Sequence, residues 1–218
     1  MKSKIIAAED VQKLFRNEMT IMIAGFSRTI GVPQTLIQSL LDSGVSNLNI
    51  ISSNASGPDC GIGLLVRENR IRHLTCSHIG NNREAIAKYT SGELDITFIP
   101  LGTLCEQIRA GGAGLGGILT PVGVGTPVAE GKRMIEVGGK QYLLELPFHA
   151  DIALIHAWKA DTCGNLVYRL TARNFNPIMA MAADHVIAEA EEIVDVGELD
   201  PNEIITPGSL IDAVIQAQ

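Results

Sequence analysis

Thr20-Ile21-Met22-Ile23-Ala24-Gly25-Phe26-Ser27-Arg28-Thr29-Ile30-Gly31-Val32-Pro33, running on to Leu41, is the stretch that decides the fold class. An apolar run of strand length, 20–24, empties into a turn bracketed by Gly25 and Gly31. Pro33 then opens a helix at a position where its missing N–H costs little. The phrase recurs. Residues 48–52, 71–76 and 95–100 read as strands, each followed by a loop and a helical pattern at 61–68, 83–90 and 104–110. Strands alternating with helices through right-handed crossovers imply an α/β fold, an open and largely parallel sheet covered by helices on both faces.

After Gly111 the pattern changes. Gly, Pro and Thr dominate to Pro127, so 111–117 reads as a Gly-rich loop. Residues 134–137 and 141–144 flank Gly138-Gly139 as a β-hairpin. Residues 152–156, 186–190 and 193–194 resume buried strands, and 210–215 reads as a short closing helix. With no repeat, low-complexity tract or linker, a single domain over 1–218 is expected.

Composition narrows the function. The chain has 218 residues, 46% apolar and 4% aromatic, with 22 glycines, which suits close helix-on-sheet layers around a sizeable core. The formal net charge is -7 and no segment gathers Lys and Arg, so the counterion-release term of nucleic-acid binders is missing. Cys60, Cys76, Cys105 and Cys163 form no Cys-x-x-Cys and have no His at finger spacing, which argues against a metal site. They read as buried small hydrophobes. No run approaches the roughly 18 to 20 apolar residues of a membrane span, and the expectation is a cytoplasmic protein with no membrane or nucleic-acid partner.

Gly112, Gly114 and Gly117 spell G-x-G-x-x-G, the dinucleotide fingerprint, but they follow a helix instead of a strand, and Pro121 and Pro127 stop any long helix beyond them. Residues 125–133 miss the Walker spacing by one. The five histidines form no ligand or catalytic pattern, and the acidic run Glu189, Glu191 and Glu192 reads as a solvated face. Residues 24–31 are the stronger site. The helix after them carries no Asp or Glu in its first turn, so its free N–H groups favour an anion, and Arg28 can add a phosphate contact.

Taken together, these segments resemble the alpha (A) subunit of the two-subunit 3-oxoacid or short-chain acyl CoA-transferases, the acetate/butyrate–acetoacetate type. The first signature reads here as Asn17, Ile21-Met22-Ile23, Ala24-Gly25-Phe26 and Gly31-Val32-Pro33. Further matches follow in family order: Ser77-His78-Ile79-Gly80, Gly102-Thr103-Leu104, Gln107 through Gly114, Thr126, Gly131-Lys132, Leu144-Glu145-Leu146-Pro147, Gly164-Asn165-Leu166, Ala172 through Pro177, and Thr206-Pro207-Gly208. The resemblance implies the CoA-transferase-like fold, an α2β2 or similar assembly, and ping-pong transfer of CoA between short-chain acyl-CoA and acetate, butyrate or acetoacetate. CoA is then a substrate, with no permanently bound cofactor. The family's glutamate nucleophile sits in a Ser-Glu-Asn-Gly motif of the beta subunit, which this chain lacks, so no catalytic residue is assigned here.

Ala24, Gly25, Phe26, Ser27, Arg28, Thr29, Ile30 and Gly31 match the family's CoA-binding segment. The resemblance further implies that Leu101, Gly112, Ala113, Gly114 and Gly116 help to line the acyl site. Leu101 stands where the family's Pro-Gln-Gly-Thr carries Gln, Ala24 replaces a Gly, and the gap from Phe26 to Gly31 is one residue longer than usual. A CoA- or anion-binding regulatory protein of the same fold stays open as an alternative; an isomerase would need an acid–base pair that the sequence does not display.

Overall fold

The computed structural model describes residues 2–218. A short helix α1 (Ala8–Val11) precedes four strand–helix units: β1 (Thr20–Ile23) and α2 (Gln34–Asp42), β2 (Leu48–Ile51) and α3 (Ile62–Arg67), β3 (Ile71–Cys76) and α4 (Arg83–Ser91), β4 (Asp95–Phe98) and α5 (Leu101–Gly112). Then come β5 (Ile118–Thr120), β6 (Met134–Val137), β7 (Lys140–Glu145), β8 (Ala150–Asp161), β9 (Leu166–Val167), α6 (Asn176–Met179), β10 (Ala183–Val194) and β11 (Ala213–Gln216).

The main sheet has the order β11-β10-β8-β1-β2-β3-β4, parallel throughout, with the small β9 antiparallel on β8. Period-two alternation divides its side chains between two cores. Ile21, Ile23, Ile50 and Leu154 pack with Leu36, Ile37 and Leu40 of α2 and with Ile62 and Leu65 of α3. Met22, Ile51, Ala153 and Ile155 point the other way, onto Leu104 and Ile108 of α5 and Ile178 and Met179 of α6. Helices thus cover both faces, as expected. The hairpin also forms: β6 and β7 pair antiparallel through Gly138 and Gly139, both at positive φ, and β5 joins them in a separate three-stranded sheet.

From β1 the chain steps outward to β4, then returns to β8 on the other side of β1 and steps outward again to β11. That reversal makes the β1/β8 boundary a topological switch point, where a crevice opens beyond the carboxyl ends of the strands.

Several expectations give way. Residues 210–215 do not form a helix: a 3-10 turn, Gly208–Leu210, leads into β11, which pairs parallel with β10 from Ile187↔Ala213 to Ala190↔Gln216. Ala213, Val214 and Ile215 are all buried because the strand is covered on both faces, and such a run lacks the alternation that marks a half-buried strand. Residues 186–190 and 193–194 are parts of one twelve-residue strand, and 152–156 is the middle of another; beyond Ile23 of β1 these two continue as a ribbon with Lys159 bonded to Glu192 at 2.7 Å. Gly111 and Gly112 belong to helix α5, not to a loop. Cys76 and Cys163 are buried, whereas Cys60 and Cys105 are only partly so.

Candidate functional site at the carboxyl edge of the sheet

The last residue of the β1 run, Ala24, still pairs with β8, its N–H donating to the Leu154 carbonyl at 3.0 Å. Gly25 then turns at φ 123°, where a Cβ would fall 2.3 Å from the Val32 side chain, so only glycine lets the outgoing and returning chain lie this close. Phe26 and Ile30 exchange backbone hydrogen bonds at 2.9 and 3.2 Å around Ser27, which adopts φ 59°. Residues 26–30 are therefore a closed finger, and both Phe26 and Ile30 expose their side chains at its base.

Three layers hold the finger. Hydroxyls stitch the strand exits together: Ser52 donates to the Ile23 carbonyl, Ser53 to that of Gly25 and Ser77 to that of Ser53, each at 2.8 Å. Arg28 lies across Gly57, where a Cβ would meet its guanidinium at 2.7 Å, and ends on Asp59 at 2.7 Å. Both partners are about half exposed or more, at 52% and 63%, so the pair adds little stability and leaves the guanidinium within reach of a ligand.

The third layer was not legible from the sequence. Asn176, fully buried, donates to the carbonyls of Gly31 and Ala172 and accepts from the N–H of His156, tying the finger's exit to β8. Asn174 donates to the Ile30 carbonyl at 3.0 Å. These side chains lie some 145 positions from the loop they hold; the signal that could have found them was the matched segment from Ala172 to Pro177, whose two amides had no other evident task.

The expected anion slot at the start of α2 is already filled. Glu189 of β10 is buried and accepts from the Leu36 N–H at 2.9 Å, with the Gln34 and Thr35 N–H groups adding to the same carboxylate. Burial, with a smaller push from nearby Glu191, raises its carboxyl to about 7 against the pull of those N–H groups. Of the acidic run, then, only Glu191 and Glu192 face solvent. Any phosphate held by the finger relies on its own N–H groups and Arg28. Beside Glu189, His156 meets Glu191 at 3.4 Å, and burial lowers its affinity for a proton.

Helix α5 separates the residues expected to share an acyl site. Leu101 is its first residue, partly exposed at the carboxyl edge, and Gly112 its last, roughly 16 Å away along the axis. Gly111 and Gly112 serve packing, since a Cβ would come 1.8 Å from the Phe148 carbonyl oxygen at the first and 2.5 Å from Met181 at the second. Gly114, at φ 68°, closes the helix: its N–H returns to Gly111 and that of Leu115 to Ala110, with Ala113 between them as the cap. Gly116 has open space around its Cα. The structure thus groups residues 24–31 with Leu101 at one edge and leaves Gly112, Ala113, Gly114 and Gly116 at the other end of α5.

Three further matched segments converge on one buried cluster. Lys132 contacts Glu145 at 2.6 Å, and Gln107 donates to the Leu146 carbonyl at 2.9 Å and to Glu145 at 3.4 Å. They line a cleft of about 660 Å³ between α5, the edge strand β4 and the three-stranded sheet. The cluster fastens that sheet to the body.

Residues 4–217 match the Coenzyme A transferase family. The chain belongs to the coenzyme A transferases. It is similar to the acetate CoA-transferase subunit alpha of Escherichia coli K12, 50% identical over 218 residues and covering 100% of this chain and 99% of that one. It is also similar to the acetoacetyl-CoA:acetate/butyrate CoA transferase alpha subunit of Clostridium acetobutylicum, 45% identical over 216 residues and 99% of each chain. Among solved structures, the acyl-CoA transferase YdiF apoenzyme from E. coli O157:H7 superposes with a TM-score of 0.88 at 25% identity, over 99% of this transferase chain and 47% of that one. None of the helices among the described residues is long and apolar enough to cross a membrane.

Proposed function

We propose that this transferase chain is the alpha subunit of an enzyme that moves CoA between a short-chain acyl-CoA and a carboxylate such as acetate, butyrate or acetoacetate. The observation that carries the reading is the open finger 26–30 at the topological switch point of a chain similar from end to end to transferase alpha subunits. In this reading the finger and Arg28 hold CoA, which binds as a substrate, and a beta subunit brings the glutamate that attacks the acyl-CoA and then carries CoA as a thioester. The assembled enzyme works in the cytoplasm.

Leu101 offers no donor to a substrate carbonyl, so it favours plain aliphatic acids over 3-oxo acids. Leu101→Gln should then raise the ratio of kcat/KM for acetoacetate over butyrate roughly tenfold. The decisive experiment mixes the chain with a beta-type partner, adds acyl-CoA and reduces with borohydride. Transfer activity appears only in the mixture, and the label falls on the partner. A labelled carboxylate on this chain overturns the reading.

A further inference from the structure

The amino edge of the sheet, opposite the finger, carries a second cleft. It opens where β8, β10 and β11 begin and holds about 510 Å³. Met19, Ile152, Ile187 and Ala213 form its floor, all buried and all continuous with the core beneath α2. The loop before β1 folds over that floor, with the Arg16 N–H donating to the Met19 sulfur at 3.1 Å, and Leu14 stands exposed at the lip. Strand addition is closed to a peptide here, because residues 4–6 already pair with β11 around Val214. What remains is a pocket of small-ligand size.

Its mouth is cationic in a chain whose formal net charge is -7, since Lys13, Arg16 and His185 all line it. Two of the three have partners. Lys13 is held by Asp10 at 2.6 Å, and His185 faces Asp212 at 3.7 Å, whose carboxylate also accepts from the Val186 N–H at 2.7 Å. The Arg16 guanidinium has no acidic partner among the described residues.

We propose that this cleft binds a straight-chain aliphatic carboxylate of about six to ten carbons, its head group paired with Arg16 and its tail laid past Leu14 onto Met19, Ile152 and Ile187. One unpaired guanidinium matches one carboxylate in charge and in fork geometry. A phosphate dianion would lack a second free cation and leave the apolar floor bare. Each methylene taken from water multiplies affinity about fourfold, so the floor selects for length and holds the short acids proposed as substrates far less well. The site lies at the edge away from the finger and does not depend on the transferase reading.

Binding is followed by NMR on the full chain with carboxyl-labelled octanoate, below its micelle concentration. Octanoate should bind, octanamide about tenfold more weakly and butyrate about a hundredfold more weakly. Arg16→Gln should weaken octanoate about tenfold and Leu14→Ser about threefold, with Tm unchanged in both because each side chain is exposed. Inorganic phosphate should not displace it. Octanamide bound as well as octanoate, or an affinity indifferent to Arg16, overturns the carboxylate site. Butyrate bound as well as octanoate, or displacement by phosphate, overturns it in favour of unspecific surface charge. Should Arg16→Gln lower Tm, octanoate against octanamide on the unaltered chain still decides. No arm reads CoA transfer, so a complex without transferase activity leaves the result standing.

Discussion

Two glycine-bearing segments look alike in sequence and do opposite work. Gly25 to Gly31 leaves β1 at the carboxyl edge of the sheet, turns at positive φ at two glycines where a Cβ would also strike Val32 or Ala172, and is held from below by Asn174 and Asn176 while its finger faces solvent. Gly111 to Gly117 closes α5, and its glycines let helix backbone touch Phe148 and Met181 or take the left-handed cap. Density of glycine therefore says that backbone comes close to something, and only the partner decides whether that is function or packing. At the first segment the partner is a scaffold that leaves one side of the loop free. At the second it is the neighbouring chain at Phe148 and Met181, against which helix α5 packs.

Mutations can break or sharpen this contrast. Gly111→Ala forces a Cβ onto a backbone carbonyl, and about 3 kcal/mol of stability should be lost. Activity per folded molecule should be unchanged; normal Tm, or a specific fall in turnover, would move the segment to the functional side.

Glu189 tests how the finger's far end is anchored. Its folded pKa, about 7, lies above the ordinary 4.5, so between those values the folded chain holds a proton that the unfolded chain has released. Stability from this group is full below about pH 4.5, falls as pH rises through the window and levels off above 7, a change of up to about 3 kcal/mol. Denaturant titrations across pH 4.5 to 8 should show that slope, and Glu189→Gln should flatten it. An unchanged slope in the variant would place the titration elsewhere.

Asn176→Asp keeps the acceptor for His156 but loses the donor to Gly31 and Ala172. It should cost about 2 kcal/mol and raise KM for acyl-CoA about tenfold, with KM for the acid little changed. Equal changes in both constants would mean general damage instead of a displaced finger.

The smallest effect belongs to Arg28→Ala, with stability altered by less than about 1 kcal/mol and KM for CoA esters raised about threefold at low salt, less at high salt. A constant KM across salt would leave Arg28 a surface residue bound only to Asp59.

Much of this is legible in the sequence. The four strand–helix units follow from period and punctuation, and Gly25, Gly31 and Pro33 marked the turn that became the finger. Besides the Asn174 and Asn176 supports of the finger, three things are not, for different reasons. β11 is buried on both faces, so Ala213 to Ile215 carry no alternation to distinguish strand from helix. Glu189 sits in an acidic run, but strand parity sends it inward beneath α2 while its neighbours Glu191 and Glu192 end on the exposed ribbon. Leu101 and Gly112 share a site only through the resemblance, which carries no spacing along the chain; α5, which begins at Leu101 instead of residue 104, puts them at opposite ends of one helix.

Hydrogen exchange on the assembled enzyme, with and without acyl-CoA, tests the functional side of the contrast most directly. Protection should appear at the amides of Phe26 to Ile30, with none gained at Gly112 to Gly116. Protection of Gly112 to Gly116 with an unaltered finger would contradict the assignment of CoA to the carboxyl edge of the sheet.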